Sequence, residues 1–257
     1  MPANKTPRGK LDLPPLLAED SKIPSMFNEP LNASDPDSQP NYLLLVLLTG
    51  TYSPTIQRTL SVPGSFNFSK LHDVLQAAFG WANCHAHSFD LKLSANRDKP
   101  YFGGGPSVLS LTMHVDPADS MPGSERYRLE HDYTLADILE HPEYKGKTYL
   151  TYEYDYGDSW QHEIIVLGRA DPTLRNALGG VPHKAFCIAG EGHPCAEDAG
   201  SYPGWEDLKD LFTKKGKKDP EGKKEWYKRL CANGDPKGLD PYRWSILDVN
   251  DALQEIK

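Results

Sequence analysis

The chain has 257 residues, with 36 Asp and Glu against 28 Lys and Arg, a formal charge of −8. That length buries a core in one sizeable domain or at most two small ones, and the acidic balance argues against a surface that grips phosphate backbone throughout. No apolar run approaches the ~18 residues that cross a bilayer. Four cysteines do not make a disulfide framework in a chain this long, and the first residues carry no apolar signal core, so a reducing cytoplasmic or nuclear setting and no membrane partner are expected.

Residues 1–40 hold eight prolines among small polar and charged residues. Such a segment buries too little apolar surface to offset its ordering entropy, and it reads as a disordered or loosely docked arm. From Tyr42 the pattern tightens. Tyr42–Thr49 is a continuous apolar strand and Thr55–Val62 alternates, which together predict a β-hairpin. Ser69 is placed to cap a helix whose apolar stripe is Leu71, Val74, Leu75 and Ala78 and which Gly80 ends. Ser88–Leu93 alternates again. Residues 95–131 have the character of an insertion, with a strand over Val108–Val115. Thr134 caps a short helix through Leu139. Thr148–Asp155 and Trp160–Leu167 flank Tyr156-Gly157-Asp158-Ser159, the strongest hairpin signal in the chain. Asp171–Cys195 reads as loop. Helices follow around Trp205–Phe212, Glu221–Cys231 and Ile246–Ile256, the last capped by Ser245 with Asp248 three residues on.

Three polar clusters exceed what turns and cores need. The first is Phe79-Gly80-Trp81-Ala82-Asn83-Cys84-His85-Ala86-His87-Ser88-Phe89. On one strand, alternate histidines share a face, about 6–7 Å apart, and neutral imidazole is the commonest zinc ligand. The second is Tyr152-Glu153-Tyr154-Asp155-Tyr156-Gly157-Asp158-Ser159-Trp160-Gln161-His162, where Asp158 also suits plain turn bonding and the aromatic residues also suit cross-strand packing. The third, Cys187 to Asp198, carries two thiols, His193, Glu191, Glu197 and Asp198 without a zinc-ribbon spacing. Separately, Lys214–Arg229 holds eight basic and three acidic residues. It reads either as a solvated helix face or as a docking patch for an anion.

These clusters, in this order, resemble the plasmid pRiA4b ORF-3-like family. The resemblance rests on Pro54-Thr55-Ile56-Gln57-Arg58, on Leu71-His72 through Phe79-Gly80-Trp81, and on His85-Ala86-His87-Ser88-Phe89. It continues through Leu135–Leu139, the Tyr-Asp-Tyr-Gly-Asp-x-Trp-x-His element at 154–162, Glu197-Asp198-Ala199-Gly200 and Asp248–Leu253. The chain departs from the family pattern at Gln57, usually Trp, and at Cys195-Ala196, usually Pro-Pro. The resemblance implies one α+β domain over 41–257, a mixed or antiparallel sheet flanked by helices, with 95–131 inserted. No recombinase parts are recognisable.

The three clusters are expected to converge on one pocket. In the enzymatic reading His162 is general acid or base, Asp155 orients it, and Glu197 is a further catalytic carboxylate. Tyr154, Trp160, Asp158 and Asp198 then contact a small-molecule substrate, and His85 with His87 binds a divalent metal, zinc or manganese, for hydrolysis or transfer. The competing reading is a non-enzymatic module that docks a nucleic acid or an acidic protein through Lys214–Arg229, with nucleic acid the less favoured partner.

Overall fold

A computed structural model describes residues 40–94, 107–115, 124–177 and 183–256. The proline-rich arm up to residue 39, and residues 95–106 and 116–123 of the expected insertion, lie outside them.

The predicted first hairpin forms as β1 (Asn41–Leu48) and β2 (Ile56–Pro63). Tyr42, Leu44, Val46 and Leu48 all point into the core with at most 2% exposure, the period-two signature of a strand packed on one face. Helix α1 (Phe68–Phe79) follows. It buries Phe68, Leu71, Val74, Leu75, Ala78 and Phe79, the i, i+3, i+4, i+7 stripe the sequence carries. Its cap is Asn67 rather than Ser69. The Asn67 side chain accepts from the Lys70 amide at 2.9 Å, while Ser69 already lies inside the first turn. Gly80 ends the helix at φ 67, and a Cβ there would meet Pro194 Cγ at 2.8 Å, so glycine is required twice over.

β3 (His87–Leu93), β4 (Ser107–Thr112) and the short β5 (Tyr127–Leu129) come next, then α2 (Leu135–Leu139). Thr134 caps α2 through a reciprocal capping box with Asp137. The second predicted hairpin is β6 (Thr148–Tyr154) with β7 (Trp160–Arg169). The stretch expected to be loop contains two elements, α3 (Pro172–Ala177) and β8 (Phe186–Glu191). β8 pairs only with β2, as an edge strand, and its Phe-Cys-Ile-Ala-Gly-Glu sequence carries no apolar alternation. The chain closes with α4 (Ser201–Thr213), α5 (Lys223–Arg229) and α6 (Ile246–Gln254), and Ser245 caps α6 as its sequence predicts.

The eight strands form one mixed sheet in the order β5-β4-β3-β6-β7-β1-β2-β8, antiparallel except for β4 with β5. This is the α+β architecture expected. Register carries one buried row across the sheet: Phe89 opposite Tyr152, Tyr152 opposite His162, and His162 opposite Leu48. Three polar residues, Arg58, His87 and His162, lie on this core face, and none is more than 2% exposed. No helix among the described residues is long and apolar enough to cross a membrane.

Candidate functional site

β3 begins, β6 ends and β7 begins at one end of these neighbouring interior strands, since His87, Tyr154 and Trp160 are successive register partners. Three irregular segments meet there: the approach to β3 at 81–86, the β6–β7 turn at 155–159, and the loop 192–200 that leads from β8 to α4. Loops fixed on a rigid sheet commonly carry function.

His85 Nε2 lies 3.2 Å from Asp198 Oδ1 and 3.7 Å from both Asp155 Oδ2 and Glu197 Oε2. One N–H serves one acceptor at ~2.7–3.2 Å, so three carboxylates around it exceed what hydrogen bonding explains. Ligand atoms ~2.0–2.2 Å from a tetrahedral metal stand ~3.3–3.6 Å from one another, which is close to this spacing. Glu197 is fully buried. Its Oε1 accepts from the Ala82 amide at 2.6 Å and from the Tyr154 hydroxyl at 3.0 Å. Its Oε2 and His85 Nε2 are buried atoms that make no hydrogen bond among the described residues. Burial pushes the Glu197 carboxyl above its ordinary value, because the charged form is desolvated. Asp198, by contrast, has a side chain 64% exposed, so the cluster is closed at its base and open on one side.

Backbone geometry presents these groups. Asp155 and Asp198 both sit in the left-handed region, at φ 58 and φ 57, where Asp is better tolerated than most residues. Asp155 Oδ1 accepts from the Gly157 amide at 2.9 Å, closing its own turn. Asp158 accepts from the Gly200 amide at 3.0 Å and so ties the β6–β7 turn to the loop that carries Glu197 and Asp198. Asn233 holds that loop from behind. Its Oδ1 accepts from the Glu197 amide at 2.8 Å, and its Nδ2 donates to the carbonyls of Cys195 and Gly80 at 2.8 and 3.0 Å. The Tyr154 hydroxyl, besides donating to Glu197, accepts from the Cys84 amide at 3.1 Å.

The structure therefore brings together His85, Asp155, Glu197 and Asp198, with Tyr154 and Asp158 as their supports. It separates the other expected residues. His87 does not share an ion-binding face with His85, because the strand starts only at His87 and the chain bends at His85 itself. His87 Nε2 instead meets the buried Glu130 at 2.8 Å, and its ring stacks on His72 at 3.5 Å. Burial, with His87 beside it, lowers His72 to about 4. His162 is completely buried against Trp81, and both of its ring nitrogens are engaged. Trp160 is buried too, packed edge-on to Tyr202 and beside Trp81.

Glu130 and Asn233 lie outside every polar cluster the sequence displays, and Asn233 in Cys231-Ala232-Asn233-Gly234 looks like turn chemistry. Neither of two sizeable cavities includes a residue of the cluster. One of about 470 Å³ is lined by Tyr42, Leu91, Ile138 and Tyr144, and one of about 550 Å³ by Arg58, His193, Arg243 and Trp244. In the basic stretch, Lys214, Lys217 and Lys223 pair with Asp207 and Asp210, Arg229 pairs with Glu225, and Lys224 and Lys228 lie over the Phe212 ring. Asp207 and Asp210, outside the stretch, offset part of its net positive charge.

Comparison with known proteins fits the same frame. The chain is 27% identical over 151 residues to the uncharacterized protein y4hQ of Sinorhizobium fredii, covering 53% of this chain and 66% of that protein, just under two thirds of its length. A crystal structure of a protein of unknown function, MM3350 from Methanosarcina mazei Go1, superposes with a TM-score of 0.58 at 22% identity, over 82% of this chain and 97% of the other. That likeness speaks for the fold alone. The model of the plasmid pRiA4b ORF-3-like protein family matches residues 41–243, most of the chain and all eight strands. The chain belongs to that family.

Proposed function

We propose that His85, Asp155 and Asp198, whose ligand atoms lie within 4.8 Å of one another beside the buried Glu197, hold a divalent metal ion, zinc or manganese, and that the site serves metal-assisted hydrolysis or group transfer on a small molecule. The observation that carries this reading is the pair of buried, unbonded atoms, Glu197 Oε2 and His85 Nε2, facing each other at 3.7 Å beside two further carboxylates. A buried carboxylate oxygen without a donor is costly, and a cation is the simplest group that would relieve it. One imidazole with carboxylates suits zinc, manganese and their neighbours, and three protein ligands leave a position open for chemistry. A bound ion would supply a water acidified towards neutrality and a Lewis acid for a carbonyl or phosphoryl oxygen. Glu197, with its free Oε2 beside His85, would take a proton from that water, and Asp158 keeps the two acidic loops in register.

Metal content of the purified full chain, with calorimetric titration of Zn²⁺ and Mn²⁺ into the stripped protein, tests the reading. Stoichiometric binding that weakens by 10-fold or more in both Glu197→Gln and His85→Ala is expected, since even outer-shell losses cost ~10–100-fold. A wild-type chain that takes up neither ion removes the basis of the proposal. So does an affinity that both variants leave unchanged.

A further inference from the structure

We infer that Cys84 is a conditional ligand of this site, so that the metal the site prefers depends on the state of one thiol. The inference rests on the metal reading above and goes beyond it in naming what selects the ion. Two ligand groups share His85. In one, ligand atoms of Cys84, His85 and Glu197 lie within 4.8 Å of one another; in the other, those of His85, Asp155 and Asp198 do. The second group offers only imidazole and carboxylate, a set suited to manganese. The first adds a soft sulfur, which favours zinc.

The two parts of Cys84 are held differently. Its backbone is fixed, because its amide donates to the Tyr154 hydroxyl at 3.1 Å, the same hydroxyl that donates to Glu197 Oε1. Its side chain is exposed, and its sulfur touches that hydroxyl only loosely, at 3.8 Å. A tetrahedral zinc with Zn–S of ~2.3 Å and Zn–N or Zn–O of ~2.0–2.2 Å needs sulfur about 3.5–3.7 Å from the other donors, a short rotation from where it stands. The second, independent sign that a ligand belongs here is Glu197 Oε2, fully buried, unbonded and directed at His85. When zinc binds, a Zn–S bond forms and the thiol proton passes to solvent. When an alkylating agent reaches the sulfur first, a carbon–sulfur bond forms, halide leaves, and the thioether no longer supplies a thiolate. The site then keeps only its harder donors.

Cys84 is also the thiol that reagents should reach first. Cys187 and Cys195 are buried and unbridged, and Cys231 is half-buried with its sulfur against Asn233 Oδ1 at 3.2 Å. Native iodoacetamide treatment of the full chain therefore modifies Cys84 ahead of the others.

The test uses the full chain, stripped of metal, as wild type, as Cys84→Ser and after native alkylation, with circular dichroism confirming that each is folded. Cobalt stands in for zinc as a spectroscopic probe. Wild type should show a near-ultraviolet sulfur-to-cobalt charge-transfer band that both other samples lack. Zinc affinity, measured against a chromophoric chelator, should fall by about 10–100-fold in both, while manganese affinity, measured by the resonance of free Mn²⁺, should stay the same. No charge-transfer band in wild type, or equal zinc affinity in all three samples, overturns the role of Cys84 and leaves the carboxylate–imidazole site standing. A wild-type chain that binds neither zinc nor manganese overturns both proposals.

Discussion

The indole N–H of Trp81 donates to Nε2 of His162 across 3.3 Å, and the other ring nitrogen donates to the Trp160 carbonyl at 3.0 Å. This fixes one neutral tautomer in a site without solvent, and burial lowers the histidine from its ordinary 6.5 to about 4. His72 is lowered to a similar value, again chiefly by burial. Between about pH 4 and 6.5 both groups bind fewer protons folded than unfolded, so unfolding free energy should fall as pH drops through that window. The full effect is about 3 kcal/mol per histidine. Denaturant titrations from pH 4 to 7 should show a shallower slope for His162→Gln, which can still accept from Trp81 and donate to Trp160. An unchanged slope would mean that His162 already titrates freely.

Glu197→Gln should move stability and metal response in opposite directions. In the metal-free protein the change removes a desolvated charge beside Asp198, so stability should rise by about 1 kcal/mol, or 2–4 °C in melting temperature for a chain of this size. Added Zn²⁺ or Mn²⁺ should then raise the melting temperature less than in wild type. A drop in the metal-free melting temperature would show that the carboxylate is a structural partner and nothing more.

Tyr154→Phe leaves the Cys84 amide without its acceptor and takes one of two donors from Glu197 Oε1, which keeps the Ala82 amide. Leaving buried polar groups unpaired costs about 1–3 kcal/mol, and chemical denaturation should read a loss of that size. Metal affinity should fall as well, because the same hydroxyl orients Glu197. If only stability falls, Tyr154 supports the fold without setting the site.

Asn233 bonds the Glu197 amide and the Cys195 carbonyl of the 192–200 loop and the Gly80 carbonyl at the end of α1, and only an amide supplies both the acceptor and the donors they need. Asn233→Asp keeps the acceptor for the Glu197 amide but places a charge against the carbonyls of Gly80 and Cys195. It should be destabilised at least as much as Asn233→Ala, by about 1–3 kcal/mol. Proteolysis of the 192–200 loop, followed by mass spectrometry, should be faster in both. Equal cleavage of wild type and variants would place the anchor of that loop elsewhere.

What the sequence discloses is what local chemistry decides. The β6–β7 hairpin, the Thr134 capping box, the Ser245 cap and the Gly80 stop are all set by residues within a few positions of one another, and all form. β8 escapes because its pairing with β2 is decided by Gln57–Ser61, far away in the chain. Parity correctly groups Trp160 with His162, but parity does not say which face is wet, and their face is the dry one. His85 and His87 share parity only where the backbone is extended, and the chain bends at His85 before the strand begins at His87. The acidic half of the site was legible as residues, whereas its assembly depends on Asn233 and Asp158, whose bonds cross 36 and 42 positions.

The strand order has a consequence for synthesis on the ribosome. β1 is made first among the described strands, yet it lies inside the sheet between β7 and β2, and on its β7 side it pairs with residues 162–169. Until those residues emerge, the β1–β2 hairpin presents a leucine-rich strand with one side unpaired, the kind of edge that invites pairing with another chain. Nascent chains halted before residue 160 should therefore engage chaperones, and release should coincide with the arrival of β7, the strand that seals the centre of the sheet.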